Sequence, residues 1–333
     1  MSTASAEPGP APAASASASA SAPVPVPVAG GWAPSGIVPG GIVPSGIVLA
    51  GIGDEAAPDL PGQLDAVREL GWNRIELRTI AGVPIARLDE EAFALSADRI
   101  RTAGVAVVGV ASKIGDWSRP VTGDFALDLA ELEVLARRCP VLGTRLVRVM
   151  SYPSGGLPEA EWGRRALSRL RELTHRAEDA GLLLTLENCA GWAGDRAERM
   201  LDLVAAIDSP AFRLLFDIGN GVAYGYSPPE MLAAVVGHVA HVHVKDAVIA
   251  SDGEVGFVPP GTGAAHVAEC LRMLLTDGYT GALSIEPHLH LRPHLSGAGD
   301  PGRGDRAAFV AYGRELERLV GLVAPAEGAG RTR

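Results

Sequence analysis

Four apolar stretches in the second half of the chain decide the fold: LLLTLEN (182–188), FRLLFD (212–217), VAHVHVKD (239–246) and ALSIEPH (282–288). Each carries a charged residue or a histidine at or just beyond its apolar part. Apolar runs of this length indicate strands that are buried on both faces, as in a parallel sheet covered by helices. We therefore expect four successive parallel strands whose carboxyl ends meet along one rim.

The same alternation of apolar and amphipathic stretches extends over residues 46–323. Earlier strands are predicted at 46–53, 74–78, 105–112 and 144–152. Helices are predicted at 59–71, 88–104, 125–139, 157–181, 195–207, 228–237, 264–278 and 305–323. Eight strand–helix units predict an α/β protein with a (β/α)8 TIM barrel, and a doubly wound open sheet is the alternative. No GxGxxG motif opens a helix after the first strand, which weakens the dinucleotide-binding form of that alternative.

The first 45 residues differ in composition from the rest of the chain. They consist largely of Ala, Ser, Pro, Gly and Val, and Glu7 is the only charged residue before residue 36. Such a segment cannot bury enough surface to offset its ordering entropy. We therefore predict a disordered low-complexity extension over residues 1–45, the barrel over 46–323 and a flexible tail over 324–333.

Charge and cysteine content exclude several classes of protein. The net charge is −10 and no basic block occurs, which argues against a nucleic-acid partner. The chain also has no Lys/Arg-rich amphipathic stretch for a membrane surface, and its composition leads us to expect neither a secretory leader nor a spanning segment. Cys139, Cys189 and Cys270 have no paired spacing, so we predict reduced thiols in a cytoplasmic protein.

The residues that end the four opening stretches form a candidate metal-binding set: Glu187, Asp217, His243 and Glu286. Taken singly, each has an ordinary explanation, such as a solvated strand end, a helix cap or a core histidine. Taken together, three carboxylates and one imidazole on four consecutive strands suit a single divalent cation such as Mn²⁺, Mg²⁺ or Co²⁺. His241 precedes His243 by two residues, so both imidazoles should face the same side of the strand.

The LEN, FDIGN, HVHVKD and SIEPH segments resemble the xylose isomerase-like TIM barrel superfamily, in its sugar phosphate isomerase/epimerase branch. The resemblance covers roughly residues 46–322. It implies one metal ion, with Mn²⁺ preferred and Mg²⁺, Co²⁺ or Zn²⁺ as alternatives, held by the four residues named above. It also implies that Glu187 and Glu286 act as an acid–base pair on opposite faces of the substrate, and that the protein forms a homodimer.

The predicted function is a metal-dependent isomerase or epimerase of a sugar, sugar phosphate or cyclitol. A metal that chelates a carbonyl and the adjacent hydroxyl acidifies the neighbouring C–H bond and stabilises an enediolate, and carboxylates then move the proton. The same steps begin the alternative, a lyase: a keto-inositol or dehydroshikimate-type dehydratase, or an enzyme that cleaves an oxidised glycoside. A three-metal DNA-repair endonuclease is disfavoured because Ser112 and Met150 stand where further histidines would be needed. Retention of both glutamates argues against a non-catalytic barrel.

Two positions depart from the epimerases of the family. Asn220 replaces a histidine that follows the metal-binding aspartate, and the family's substrate-holding arginine is missing between Asp246 and Gly263, where Lys245 is the candidate replacement. Both differences count against epimerisation of a free sugar. The candidate substrate-binding residues are Asn220, Lys245, His288, Lys113, Arg78 and Trp192. For Arg78 an ion pair inside the barrel is the alternative, for Trp192 loop packing, and Arg148 is interpreted as a structural charge.

Overall fold

The computed structural model of the protein describes residues 46–289 and 304–324. The predicted extension over residues 1–45 and all but the first residue of the predicted tail lie outside these ranges. Among the described residues, no helix is both long and apolar enough to cross a lipid bilayer.

Eight parallel strands form a nearly closed barrel. They are β1 (Val48–Gly51), β2 (Arg74–Leu77), β3 (Ala106–Ala111), β4 (Leu146–Ser151), β5 (Leu183–Gly191), β6 (Phe212–Asp217), β7 (Val239–Val244) and β8 (Ala282–Ile285). From β2 to β8 each strand pairs with its sequence neighbour, and β8 pairs with β1. A parallel bridge between Ile52 and Glu76 joins the ends of β1 and β2. The predicted barrel is therefore confirmed, and the open-sheet alternative is wrong.

Nine α-helices surround the barrel in the described residues. They are α1 (Leu60–Glu69), α2 (Glu90–Thr102), α3 (Ala126–Leu142), α4 (Glu159–Asp179), α5 (Ala197–Ile207), α6 (Asn220–Tyr224), α7 (Pro228–Val235), α8 (Val267–Thr276) and α9 (Arg306–Val323). Three begin after aspartates whose carboxylates accept a backbone N–H from the first turn: Asp59, Asp89 and Asp305. Such caps satisfy amide groups that have no partner inside the helix.

Three short elements escaped the sequence analysis. The helix α6 follows β6 directly, and two short hairpins interrupt loops at the rim: Thr79–Ile80 with Val83–Pro84, and Ala247–Ile249 with Val255–Phe257. Elements this short carry little periodicity, so pattern reasoning cannot separate them from loops. The predicted helix bounds agree with the structure to within about three residues, the usual disagreement between two ways of defining a helix end.

Alternation along the strands separates an apolar layer from a polar interior. In β7, Val242 and Val244 lie on the face opposite to His241 and His243, and all four are buried. In β8, Leu283 and Ile285 alternate in the same way with Ser284. The apolar faces pack against the helices and form the core. On these two strands the inward face carries the polar side chains of His241, His243 and Ser284.

Candidate metal and substrate site

The structure brings the four predicted metal-binding residues together at the carboxyl ends of β5 to β8. One ligand atom each from Glu187, Asp217, His243 and Glu286 lies within 4.8 Å of the other three, and all four residues are buried. His243 Nδ1 is 3.5 Å from Glu286 Oε2 and 4.0 Å from Asp217 Oδ2. Four separate strands therefore deliver their side chains to one point, as the sequence predicted.

Two atoms of this cluster are buried without a hydrogen-bond partner. They are Asp217 Oδ2 and His243 Nδ1, an anionic oxygen and a ring nitrogen that face each other across the cluster. A buried polar atom without a partner costs about 1–3 kcal/mol, so its presence calls for a missing ligand. A divalent cation would satisfy both atoms, and the oxygen and imidazole donors are those that such ions accept. The residues present therefore fit a metal.

Glu76 sets the orientation of the histidine in this cluster. His243 Nε2 lies 3.0 and 3.1 Å from the two carboxylate oxygens of Glu76, and His241 Nε2 lies 2.8 Å from one of them. Both imidazoles therefore face the barrel interior. With Nε2 turned toward Glu76, Nδ1 is the ring nitrogen of His243 that faces the cluster. A carboxylate behind a histidine ligand is a common device for fixing the tautomer of that ligand.

Both carboxylate oxygens of Glu187 accept a hydrogen bond from a neighbouring side chain. Its Oε2 accepts a bond from Arg148 Nη1 at 2.8 Å, and its Oε1 accepts one from Asn220 Nδ2 at 3.1 Å. Burial alone would raise the pKa of Glu187, but the Arg148 guanidinium and His243 lower it below its usual value. Arg148, interpreted from the sequence as a structural charge, therefore keeps this carboxylate ionised and oriented.

Glu286 has more cationic neighbours. Arg78 Nη1 donates to its Oε1 at 2.8 Å, and Lys245 Nζ donates to its Oε2 at 3.0 Å. His288 Nε2 approaches Oε1 to 3.8 Å. Burial opposes ionisation, yet Lys245 and His288 hold the pKa of Glu286 well below its usual range. The neighbouring cations thus favour the anionic form of both candidate catalytic glutamates, the form that can accept a proton.

Asp217 behaves differently from the two glutamates. Burial raises its pKa to about 6, and the nearby Lys245 ammonium only partly opposes this effect. Lys245 Nζ lies 2.9 Å from Asp217 Oδ2, outside hydrogen-bonding geometry. Asp217 Oδ1 accepts the backbone N–H of Asn220 at 2.8 Å. Asp217 is thus the carboxylate of the cluster that is most easily protonated.

Four of the six predicted substrate-binding residues lie at the cluster. Asn220, Lys245 and Arg78 contact its carboxylates directly, as described above. His288 is buried with a left-handed φ of 51°, and its Nδ1 pairs with Glu55 at 3.0 Å. Strained backbone of this kind is concentrated at functional sites. The ion pair inside the barrel, which the sequence left open for Arg78, is present.

The other two predicted residues are not brought to the cluster. The Trp192 ring packs against α4, where a methyl group added to Gly163 would lie 2.4 Å from the ring. Its backbone O accepts a bond from Arg199 on α5 at 3.0 Å. Loop packing, the alternative for Trp192, accounts for this position. Lys113 is half-buried, and its side chain makes no hydrogen bond or ion pair with any described residue.

Two acidic residues of the site escaped the sequence analysis. Asp54 and Glu55 lie in the loop after β1, and both pair with Arg78 Nη2, at 2.9 and 2.7 Å. The signal was available in the sequence, because GIGDE places two carboxylates at a strand end, as in the four opening stretches. Arg78, at the end of β2, therefore links carboxylates that follow β1 and β8. These contacts cross the barrel seam, the junction of β1 and β2 where the sheet closes through a single bridge.

Asp246, next to Lys245, anchors a rim loop. Its buried carboxylate accepts four backbone N–H bonds, from Ala247 (2.9 Å), Gly261 (2.8 Å), Gly263 (2.9 Å) and Ala265 (3.0 Å). A side chain on Gly263 is excluded, since its Cβ would lie 2.3 Å from the carboxylate. The loop between the second hairpin and α8 is therefore fixed beside the cluster.

A sequence model described as xylose isomerase-like TIM barrel matches residues 64–303, which is more than half of the chain. The chain belongs to this family. The resemblance found in the sequence motifs is thereby confirmed, and the strands that carry the ligand cluster all lie within the matched range.

The curated proteins that are similar in sequence to this xylose isomerase-like chain include enzymes of two kinds. One is the L-ribulose-5-phosphate 3-epimerase UlaE of Shigella flexneri serotype 5b (strain 8401), 29% identical over 171 residues, which cover 50% of this chain and 59% of the relative. Another is the inosose dehydratase of Clostridium botulinum (strain Alaska E43 / Type E3), 28% identical over 142 residues, or 38% of this chain and 47% of the relative. The chain thus spans about half the length of the curated relatives it matches.

Solved structures show the same barrel. The IOLI protein with a bound zinc atom has a TM-score of 0.67 at 17% identity, covering 83% of this chain and 99% of that one. A xylose isomerase-like TIM barrel protein from Mycobacterium smegmatis in complex with magnesium has a TM-score of 0.60 at 21% identity, covering 83% and 97%. At these identities the likeness establishes the fold of the xylose isomerase-like chain.

Proposed function

We propose that this protein is a divalent-metal-dependent isomerase or epimerase of a sugar, sugar phosphate or cyclitol. One observation carries the proposal: four ligand-type side chains converge within 4.8 Å, and two of their ligand atoms are buried without a hydrogen-bond partner. The epimerase among the relatives agrees with this chemistry. Mn²⁺ is the proposed ion, and the zinc and magnesium of the two solved structures are consistent with a divalent site.

The chemistry follows from the residues around the cluster. A divalent ion held there would polarise a carbonyl and its neighbouring hydroxyl, which acidifies the C–H bond between them. Glu187 and Glu286 come from β5 and β8 and are both anionic, so either can accept that proton. The second carboxylate takes up a proton from solvent and gives it to the other face of the carbon, and the first later releases its proton to solvent. Asn220 and Lys245 carry the N–H groups that would orient the hydroxyls of the substrate.

A second candidate is a lyase that removes water from a keto-inositol or a related acid, or cleaves an oxidised glycoside. The inosose dehydratase among the relatives favours it. The first step is the same proton removal, but the leaving hydroxyl then needs a proton donor. Lys245 and His288 both carry N–H groups beside Glu286 and could supply it. A homodimer in the cytoplasm remains part of the proposal.

Deuterium exchange tests the proposed function. Metal-loaded protein is incubated in D₂O with a panel of keto-sugars, sugar phosphates and keto-inositols, and the products are followed by NMR. Deuterium on the carbon beside the carbonyl, with an inverted or rearranged product, supports the isomerase or epimerase; loss of water or of an aglycone supports the lyase. The Glu187→Gln and Glu286→Gln variants should lower exchange by about a hundredfold or more. If deuterium exchange and metal binding are unchanged in both variants, the proposed function is wrong.

A further inference from the structure

Lys245 contacts two of the three carboxylates of the candidate metal-binding set. Its ammonium Nζ is 2.9 Å from Asp217 Oδ2 and 3.0 Å from Glu286 Oε2. These oxygens belong to two of the four candidate ligands, and the residue is 2% exposed. Two ionised carboxylates repel each other in a buried site, and a cation that contacts both offsets this repulsion.

The surrounding chain is shaped to admit this side chain. A methyl group on Gly219 would lie 2.7 Å from both Cβ and Cγ of Lys245, so glycine at this position leaves room for the stem. Asp246, the next residue, is fixed by four backbone N–H bonds, which hold the Lys245 backbone in register. The position of the ammonium is therefore set by the fold.

The Phe257 ring gives the ammonium a second favourable place. Its centroid is 5.9 Å from Nζ, at the outer limit of a cation–π contact. Phe257 belongs to the rim hairpin that follows β7, so the ring lies on the rim side of the site. A short movement of the flexible lysine stem toward this ring would take the ammonium off the two ligand oxygens without exposing it fully to water.

We propose that Lys245 is a built-in counter-ion that competes with the divalent metal for Asp217 and Glu286. The metal-free protein holds its carboxylates together with the ammonium, and metal binding displaces that ammonium toward Phe257 and the substrate space. Lys245 thereby sets the affinity of the site for its metal. This inference rests on the metal site of the proposed function, and it adds a residue that opposes metal binding where the four ligands favour it.

The chain offers a matched control, because Lys113 and Lys245 are its only two lysines. Mn²⁺ binding to the full chain is measured by calorimetry for wild type, Lys245→Met and Lys113→Met. Loss of the competing charge should tighten Mn²⁺ binding by about tenfold or more in Lys245→Met. It should also lower the melting temperature of the metal-free protein while enlarging the rise in melting temperature that Mn²⁺ produces. Lys113→Met should bind Mn²⁺ as wild type does.

A second measurement needs no variant at position 245. The wild-type chain is labelled with ¹³C at lysine Cε, which yields two signals, and the Lys113→Met variant identifies them. In a titration with diamagnetic Zn²⁺ the Lys245 signal should change with the occupied fraction, either by shifting or by giving way to a second signal, and the Lys113 signal should stay in place. A Lys245→Met variant that fails to fold therefore leaves the competition testable.

The outcomes separate the two proposals. Equal or weaker Mn²⁺ binding by Lys245→Met, or a Lys245 signal that does not change while Zn²⁺ binds, overturns the competition and leaves the metal site standing. If neither wild type nor variant binds Mn²⁺ or Zn²⁺, the metal site of the proposed function is wrong and the competition is wrong with it.

Discussion

The two halves of the barrel place charged residues at the same kind of position and use them for different purposes. Strands β5 to β8 supply the ligand cluster, with its two buried unpartnered atoms. Strands β1 to β4 and their rim loops supply Asp54, Glu55, Glu76, Arg78 and Arg148, whose charges pair with one another or with the cluster. A strand end alone thus does not define a ligand.

This comparison explains how so much charge can be buried in one place. Every carboxylate of the cluster has a cation or a polar donor within reach, and several of these come from the opposite half of the barrel. Removing a residue of the first half should therefore unbalance charge and orientation, whereas removing one of the second half should remove the metal. Variants in the two halves test this division.

The largest effect is expected for Arg148→Met in β4. Loss of the guanidinium leaves Glu187 buried without its main counter-charge, and breaking such a pair costs about 3–5 kcal/mol. Urea unfolding of the metal-free protein measures the change. Arg137→Met is the control, because the exposed Arg137–Glu133 pair should contribute at most about 1 kcal/mol. Equal losses in the two variants would contradict a special role for Arg148.

A smaller effect is expected for Asp217→Asn in β6. The amide retains the shape of the carboxylate but not its charge, so Mn²⁺ affinity should fall by about a hundredfold, as measured by calorimetry. Glu55→Gln, in the first half, should change that affinity by much less because Glu55 pairs with Arg78 and His288. A similar loss of Mn²⁺ affinity in both variants would contradict the different roles assigned to the two halves of the barrel.

Glu76→Gln in β2 sharpens the comparison, since this residue acts on the metal only through a histidine. Glutamine can accept a bond from one imidazole but presents an N–H to the other, so His243 loses its fixed tautomer. We expect about tenfold weaker Mn²⁺ binding. The ¹⁵N shifts of His243 should report a mixture of tautomers, and a single unchanged tautomer would contradict the assigned role.

The smallest effect is a pH dependence of metal binding. The raised pKa of Asp217, about 6, means that this carboxylate is mostly ionised at pH 7 and mostly protonated at pH 5.5. A metal needs the ionised form, so Mn²⁺ affinity should fall about fourfold over that interval. The same raised pKa means that Asp217 destabilises the metal-free fold as pH rises through its unfolded value toward 6. Affinity that is flat over this range would contradict the raised pKa.

Sequence reasoning succeeded where chemistry and position coincide locally. The convergence of Glu187, Asp217, His243 and Glu286 could be predicted because each follows its own apolar run. The pairing of Arg78 with Glu286 could not, because it joins residues 208 positions apart across the barrel seam. The direction of Trp192 was also beyond reach. Strand β5 continues to Gly191, and the backbone N–H of Trp192 donates to the backbone O of Ser151 at 3.2 Å. With the backbone held in this way, the Trp192 ring packs against α4.

The Asp246 carboxylate has a consequence beyond holding a loop. Converging backbone N–H groups of this kind form the nests in which many proteins bind a phosphate or another anion. Here the anion is supplied by the chain itself, one residue after Lys245. The rim is therefore preorganised when the chain folds, and its shape does not depend on the arrival of a ligand. A substrate would meet a finished surface on this side of the barrel.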